Sequence, residues 1–429
     1  MVPSKVIARL RPHAARASWA VAEQAVSPLL MTALTPYLLK QLGVDQFGLW
    51  MLVMAIVGMG QLTSLGAGTA TIKHVSADLE NGLVEDAVAT IRAAVTIVVL
   101  GGGFVTLVAA ATAPLIAQIF FAKMGSFAIV SQLLVLGMVL MLIQELDNVF
   151  SSALRGAQRF DLSAKIEFFT RIVWAVGVGL LAWHYRSVVA VLSGILLLSV
   201  IKAGFKAHQV NRLLSVSICH KLSLDLLYLK RVVTFGKWQW VQSFGGMLFS
   251  VADRLLIGAV FGATDLARYS ICSQLAQYVH AIPAVAMQVI FPWLSAKKEK
   301  GESIQRLPLC KYALYAGGGC FLLSVVLFIS APVLLKVWLG EKFYVDNIEL
   351  ALILISAYGI LAFNVPVHYF LMGLGEIRFL SVTNLVAGLV SVSASLILAP
   401  LGLIWFSASK LLFGPIILIN FFKVKKESK

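Results

Sequence analysis

Apolar windows of about twenty residues follow one another from end to end of the chain, separated by short polar or glycine-containing segments. That is the helical length needed to cross about 30 Å of hydrocarbon. The pattern predicts an all-α polytopic membrane protein of about 12 transmembrane helices in two six-helix lobes. The spans are expected at roughly 17–39, 47–69, 93–120, 127–150, 166–185, 187–207, 233–257, 269–293, 312–335, 348–372, 379–399 and 402–422. Loops on one side run only a few residues to about a dozen, while those on the other side are longer. Among the longer ones, Ala70–Thr90 and 208–232 are expected as amphipathic surface helices. Pro28, Pro36, Pro283, Pro292 and Pro366 fall inside or at the edges of spans, as where helices kink around a cavity.

Composition agrees with that pattern. Of the 429 residues 59% are hydrophobic and 13% charged, against about 25% charged in soluble domains. No polar block is long enough for a separate soluble domain, and the apolar run after Lys5, Arg9, Arg11 and Arg16 lacks a small-residue cleavage site. It reads as a retained first span. Cys219, Cys272, Cys310 and Cys320 have neither metal-site nor disulfide spacing and are expected as packing residues.

The formal charge of +15 invites a nucleic-acid reading, but its distribution gives another. On the predicted topology 27 of the 35 Lys and Arg lie on one side, 6 on the other and 2 (Arg254 and Lys410) inside spans. By the positive-inside rule both termini are cytoplasmic and the span number even. Nucleic acid is therefore not an expected partner.

The segment 208–232 divides the chain into an N-terminal lobe, 1–207, and a C-terminal lobe, 233–429. A weak repeat supports the division: Gly43-Val44-Asp45-Gln46-Phe47-Gly48-Leu49-Trp50 and Gly262-Ala263-Thr264-Asp265-Leu266-Ala267-Arg268-Tyr269 lie 219 residues apart. Both read as glycine, a polar turn, then an aromatic opening the next helix. Two like-oriented lobes imply an axis along the membrane normal and a substrate site near the midplane between them.

Ionised residues at membrane depth cost roughly 2.5–3.5 kcal/mol on insertion scales and are functional candidates by default. Asp253 and Arg254 sit inside an apolar stretch and project about 100° apart, so they need not pair with each other. Arg171, one turn from Glu167, Arg254 and Lys410 come from different spans and are expected to converge on an anionic group, for which several cationic donors suit a diphosphate. Span eight carries a polar face of Ser273, Gln274, Gln277, His280 and Gln288, with Gln277 and His280 nearest mid-span. Asn364 and His368 share a face of span ten, and His368 titrates near neutrality. Glu23 in span one is a candidate proton acceptor or counter-ion, and Glu145 and Asp147 close span four on the inner side. Each has a plain alternative: interhelical packing for the polar faces, snorkelling for Glu23, an interfacial place for Asp147, a structural ion pair for Asp253 and Arg254.

The chain resembles the polysaccharide-biosynthesis flippases of the multidrug/oligosaccharidyl-lipid/polysaccharide exporter superfamily, the O-antigen (Wzx-type) translocases in particular. The likeness rests on Leu42-Gly43-Val44-Asp45-Gln46-Phe47-Gly48-Leu49-Trp50, Leu65-Gly66-Ala67-Gly68-Thr69, Leu154-Arg155-Gly156-Ala157-Gln158-Arg159-Phe160, Ala252-Asp253-Arg254-Leu255-Leu256-Ile257-Gly258 and Gly373-Leu374-Gly375-Glu376-Ile377-Arg378, in that order. It implies a MATE-like fold working by alternating access in the bacterial inner membrane. The implied cargo is an undecaprenyl-diphosphate-linked oligosaccharide, moved from inner to outer leaflet and driven by an ion gradient. Arg254 is the first residue carried over for the head group, with Lys410, Arg171, Gln277, His280 and Asn364 beside it. Asp253, Glu23, Asp147 and His368 are the ion-coupling candidates. Expected partners are the lipid-linked oligosaccharide and membrane lipids, with a polysaccharide polymerase and a chain-length regulator. No catalytic residue, metal or cofactor is expected, and the protein is not read as an enzyme. A cation-coupled multidrug antiporter is the close rival, which would favour an acidic cavity. A membrane polysaccharide polymerase would need a large outer loop, and no Gly-x-x-x-x-Gly-Lys-Ser/Thr loop for ATP is present.

Overall fold

The computed structural model describes residues 28–216, 223–287, 294 and 309–427, and among these the regular structure is entirely helical. Ten helical stretches are long and apolar enough to cross a membrane: Val44–Thr63, Val84–Phe120, Phe127–Gly156, Phe160–Tyr185, Val188–Leu214, Trp240–Phe261, Leu309–Leu339, Glu341–Gly373, Ile377–Leu401 and Leu403–Lys426. The two remaining predicted spans, 17–39 and 269–293, run into residues outside the described ones. Their described parts are a helix over 28–42, α1, and the helix Ala263–Met287. The protein is a multi-pass membrane protein.

The chain folds as two compact units, Met1–Trp240 and Val241–Lys429. In the first, α2 (Val44–Gly58), α3 (Gly60–Thr63), α4 (Ala67–Glu80), α5 (Val84–Ile97) and α6 (Gly103–Phe120) are followed by α7 (Phe127–Gly156), α8 (Phe160–Tyr185) and α9 (Val188–Leu214). A π-helical turn, Val98–Gly102, joins α5 to α6. The helix α10 (Leu226–Ser250) then leads into α11 (Ala252–Phe261) and α12 (Ala263–Met287). Both long inner segments differ from expectation. Ala70–Thr90 is the body of α4, a turn and the start of α5. Within 208–232, α9 simply continues to Leu214 and α10 begins at Leu226.

Four turns are reduced to one residue. Gly43 (φ 82, ψ 166), Gly262 (φ 93, ψ −170), Gly340 (φ 90, ψ 168) and Gly402 (φ 101, ψ 175) each stand alone between two helical segments. That corner of backbone space is open in practice only to glycine, because a Cβ would strike its own carbonyl neighbours. The following helix opens on a fully buried aromatic, Trp50 after Gly43 and Tyr269 after Gly262. The inner turns match as well. Gln158 (φ 59) and Gly375 (φ 77), 217 residues apart, end helices with the same left-handed cap. In each, the next N–H bonds five residues back, Arg159 to the Leu154 carbonyl and Glu376 to the Leu371 carbonyl, both at 2.9 Å. The repeat seen at one turn in the sequence is thus carried by turn geometry at several.

Two contacts fix the first unit. Gln46 accepts the Val188 N–H at 2.9 Å and donates to the Arg186 carbonyl at 3.1 Å, which clamps the α8–α9 turn to the start of α2. Arg186 pays for that turn with a left-handed φ of 47. At the other end Gly66 (φ 74) and Gly236 pack backbone on backbone, and a Cβ on Gly236 would run into the Leu65 carbonyl. Trp240 Nε1 donates to the Leu62 carbonyl at 2.8 Å beside them. The Leu65-Gly66-Ala67-Gly68 motif is therefore the seat of α10. On the inner side Arg231 forks onto Asp78 at 2.7 and 2.9 Å, and its Nε donates to His74 Nδ1 at 3.2 Å. Burial and the neighbouring Arg231 and Lys73 hold the His74 imidazole below its ordinary range, so the ring stays neutral and can accept.

Because nothing lies within 4 Å of where a Gly43 Cβ would sit, Gly43→Ala tests backbone strain alone. It is expected to lower unfolding stability by about 1–3 kcal/mol. Gly177→Ala, equally open but helical, is expected to be neutral or slightly stabilising. Thermal melting of the two detergent-solubilised variants distinguishes strain from packing.

Candidate functional site

In the first unit three neighbouring helices each present two polar residues one turn apart: Asp147 and Ser151 on α7, Glu167 and Arg171 on α8, Lys202 and Lys206 on α9. The two lysines share the two carboxylates. Lys202 Nζ lies 2.8 Å from Asp147 Oδ2 and 3.5 Å from Glu167 Oε1. Lys206 Nζ lies 2.9 Å from Asp147 Oδ2, donates to Ser151 Oγ at 2.6 Å and is paired with Glu167. Lys206 is fully buried, so only this threefold satisfaction offsets the loss of its water. Arg171 is held more loosely, its Nε 3.9 Å from Glu167 Oε2. Three cations thus face two carboxylates. One positive charge is in excess.

That excess lines a cavity of about 340 Å³ walled by Leu30, Met31, Trp50, Met54, Gln144, Glu167, Thr170, Arg171, Trp174, Ile195, Leu198, Ser199 and Lys202. Trp174 meets the buried Trp50 edge-on at 6.3 Å. Ligand sites run upward from about 300 Å³ and combine apolar walls with a few placed polar groups. Here the polar groups include the Arg171 guanidinium, the Lys202 ammonium and the Gln144 amide, a donor set that suits an anionic group with neutral polar attachments.

In the second unit the chain is broken twice near charge. At Val251 (φ −123, ψ −44) α10 gives way to α11, whose first turn holds Asp253. Asp253 Oδ1 accepts the Arg254 N–H at 2.8 Å, and Oδ2 accepts the Tyr269 hydroxyl. Lys410, on a 3-10 turn Ser409–Leu412, reaches Asp253 Oδ2 at 2.6 Å. Its ammonium lies 4.3 Å from the Phe249 ring centre, 5.2 Å from Tyr358 and 5.6 Å from Tyr269. Asp253 and Lys410 are both buried, and the aromatic faces complete the cation's surroundings.

Lys410, expected to offer its charge to an anion, is instead committed to Asp253, the nearest compensation for a lysine that cannot reach water. Asp253, expected to couple ions, is closed by that lysine and by Tyr269. Asp147 is likewise held by two lysines. Arg254 is different: its Nε is buried and has no hydrogen-bond partner among the described residues. The adjacent Asp253 does not neutralise it. Gln277 donates back to Ser273 Oγ at 3.2 Å, a bond within its own helix. His368 Nε2 meets Gln242 Nε2 at 3.5 Å, and its N–H bonds the carbonyl of Asn364. Asn364 is buried at the break between Glu341–Phe363 and Val365–Gly373, with Oδ1 unpartnered. His280 is half-buried on α12. Glu23 lies outside the described residues. Sequence reasoning missed Lys202 and Lys206, which the charge count assigned to an inner loop. Their i, i+4 spacing at the end of an apolar run was the available signal.

Comparison with known proteins places this arrangement. The fold is that of the multidrug/oligosaccharidyl-lipid/polysaccharide exporters. An inward-facing multidrug resistance MATE family transporter of the MOP superfamily matches with a TM-score of 0.71 and 14% identity, over 95% of this chain and 97% of that one. The lipid II flippase MurJ, in an inward closed conformation, matches with a TM-score of 0.72 and 12% identity, over 95% and 87%. A family model described as "Polysaccharide biosynthesis protein" matches residues 38–347. The chain belongs to that family. The "Putative O-antigen transporter" of Shigella flexneri is 20% identical over 349 residues, 79% of this chain and 80% of that protein. The resemblance read from the sequence holds at the level of family and fold.

Removing one partner of a buried ion pair costs about 3–5 kcal/mol because the other charge is stranded. Lys206→Met should therefore destabilise the first unit strongly, and Lys206→Met with Asp147→Asn should recover much of the loss. A double-mutant cycle on thermal stability checks it; additive losses would mean the two residues do not interact.

Proposed function

We propose that the protein is a flippase for undecaprenyl-diphosphate-linked oligosaccharide repeat units, of O-antigen or exopolysaccharide type. It moves them from the inner to the outer leaflet of the bacterial cytoplasmic membrane by alternating access coupled to an ion gradient. The observation that carries this reading is the positive charge in excess on the apolar cavity wall of the first unit, Arg171 and Lys202 against Glu167. A diphosphate is the charged part of such a cargo, and a guanidinium with an ammonium beside it suits that group. Neutral sugars would meet Gln144 and the indole of Trp174. Arg254, with a buried Nε lacking a partner, is a second head-group residue. Membership of a polysaccharide biosynthesis family and the likeness to an O-antigen transporter support the same cargo class.

On this reading the activity is transport, which the transporter relative supports. Both termini are cytoplasmic on this reading. The polymerase and the chain-length regulator act on the delivered units at the outer face. A multidrug antiporter is favoured by the fold match alone. Its cationic cargo would meet like charge in the cavity, which costs affinity.

In a strain lacking the chromosomal gene, lipid-linked repeat units should accumulate on the inner face, and wild-type protein should restore export. Arg171→Gln should weaken head-group binding by about 1.5–3 kcal/mol, roughly ten- to a hundredfold. Arg254→Ala should abolish export while the protein still inserts, and Arg254→Lys should restore part of it, because charge survives and the fork does not. Wild-type surface glycan in both Arg171→Gln and Arg254→Ala strains would remove the anionic head group from the site.

A further inference from the structure

We infer that Glu145 is the carboxyl that takes up and releases the driving proton in the first unit, and that it does so through the break between α2 and α3; this rests on the ion-coupled transport proposed above. Among the described spanning helices, Asp147, Glu167 and Asp253 each face a lysine. Glu145 is as buried as these, at 7% exposure, and has no cation. Its hydrogen-bonding neighbours are Ser64 and Asn148, and its Oε2 is buried without any partner. A carboxyl of this kind is not fixed as an anion by a neighbour. Charged, it has only two neutral donors; protonated, it is compatible with hydrocarbon depth.

The described elements around it supply no counter-ion. α3 and the π-helical turn carry no ionisable side chain, nor does α6. α1 and α2 carry only Lys40 and Asp45, near Gly43 at their outer ends. On α4, Lys73 lies over the Phe235 ring, and His74 and Asp78 are engaged by Arg231. On α5, Asp86 accepts from Tyr228, while Glu85 and Arg92 form no ion pair with Glu145. Arg171 of α8 and the two lysines of α9 are drawn to Asp147 and Glu167.

Position makes such a proton consequential. A Cβ on Gly60 would stand 2.7 Å from Glu145 Oε1, so the backbone that opens α3 lies directly against the carboxyl. α3 has four residues. It begins after the turn at Met59 and ends in two left-handed residues, Leu65 (φ 49) and Gly66 (φ 74). Its Leu62 carbonyl accepts Trp240, and the Leu65–Gly66 backbone seats Gly236, both of α10. The Ser64 hydroxyl donates to the Gln61 carbonyl at 3.3 Å and can turn to the neighbouring Glu145 carboxyl when that is charged. Charge on one carboxyl thus selects between two hydrogen-bond arrangements of a short helix that carries α10.

The test uses the full-length protein in liposomes with lipid-linked repeat units. Wild type should flip faster with an imposed pH gradient than without. Glu145→Gln should keep gradient-free flipping and lose the stimulation, a ratio of about 1. A Glu145→Gln protein still driven by the gradient would overturn the inference. Wild type that flips nothing would instead sink the cargo assignment. Infrared difference spectra between acid and alkaline buffer give a readout that needs no cargo. A protonated-carboxyl band should vanish in Glu145→Gln, and its pH midpoint should rise in Ser64→Ala, which loses a donor to the anion. If Glu145→Gln fails to insert, the Ser64→Ala midpoint alone decides, and an unmoved midpoint rejects the assignment.

Discussion

A charge carried into hydrocarbon must be met by an opposite charge from another helix, and this requirement orders both units. In the first, Lys206 has no exposure to solvent, and Asp147, Glu167 and Ser151 converge on it from two other helices. The triangle formed by α7, α8 and α9 is therefore fixed to within a hydrogen-bond length. Sliding one helix by a single turn, about 5.4 Å, would strand the lysine or a carboxylate. With Lys206 saturating the back of the network, Lys202 and Arg171 are left at the cavity wall with less carboxylate than they could use.

The second unit solves the same problem in a closed form. Lys410 and Asp253 meet inside a sleeve of Phe249, Tyr269 and Tyr358, and the Tyr269 hydroxyl uses the remaining capacity of the carboxylate oxygen. This pair stabilises the meeting of α11 with the 3-10 turn at Ser409–Leu412 and offers no surplus charge. Arg254, next in sequence, is left over by that closure. The contrast between a network with an excess cation and a pair without one separates binding groups from packing groups more sharply than burial does.

Much of the fold was legible because membrane insertion is written in composition. Spans, short outer turns and a twofold repeat followed from windows and glycine positions, and the single-residue turns at Gly43, Gly262, Gly340 and Gly402 explain why those glycines punctuate the chain. Pairings were less legible. Asp253 and Lys410 lie 157 residues apart, and nothing local to Lys410 names its partner. Lys202 and Lys206 were counted with the inner-side charges although they close the expected span 187–207, and α9 continues past them to Leu214 as a helix that buries Lys206. Glu167 and Arg171 could be paired from spacing alone, since i, i+4 is a local relation. What spacing cannot show is that Glu167 serves two lysines before it serves Arg171.

Polar residues and helix breaks coincide in this protein, and the reason is physical. Where a helix stops inside the membrane, freed N–H and C=O groups must find partners in protein. Here the breaks are healed by tighter bonds three residues back: Met59 to Ile56, Leu62 to Met59, Arg254 to Val251 and Asn364 to Leu361. At the last of these Pro366 follows and cannot donate. Such turns keep nearly every backbone bond, so changing from one arrangement to another costs little. A side chain set beside the turn can then decide between them. Glu145 stands against Gly60, Asp253 accepts the Arg254 N–H in the first turn after Val251, and Lys410 projects from its own 3-10 turn. Continuous helices hold a multi-pass protein in place; breaks of this kind, each with one titratable or charged group against it, are where it can be moved.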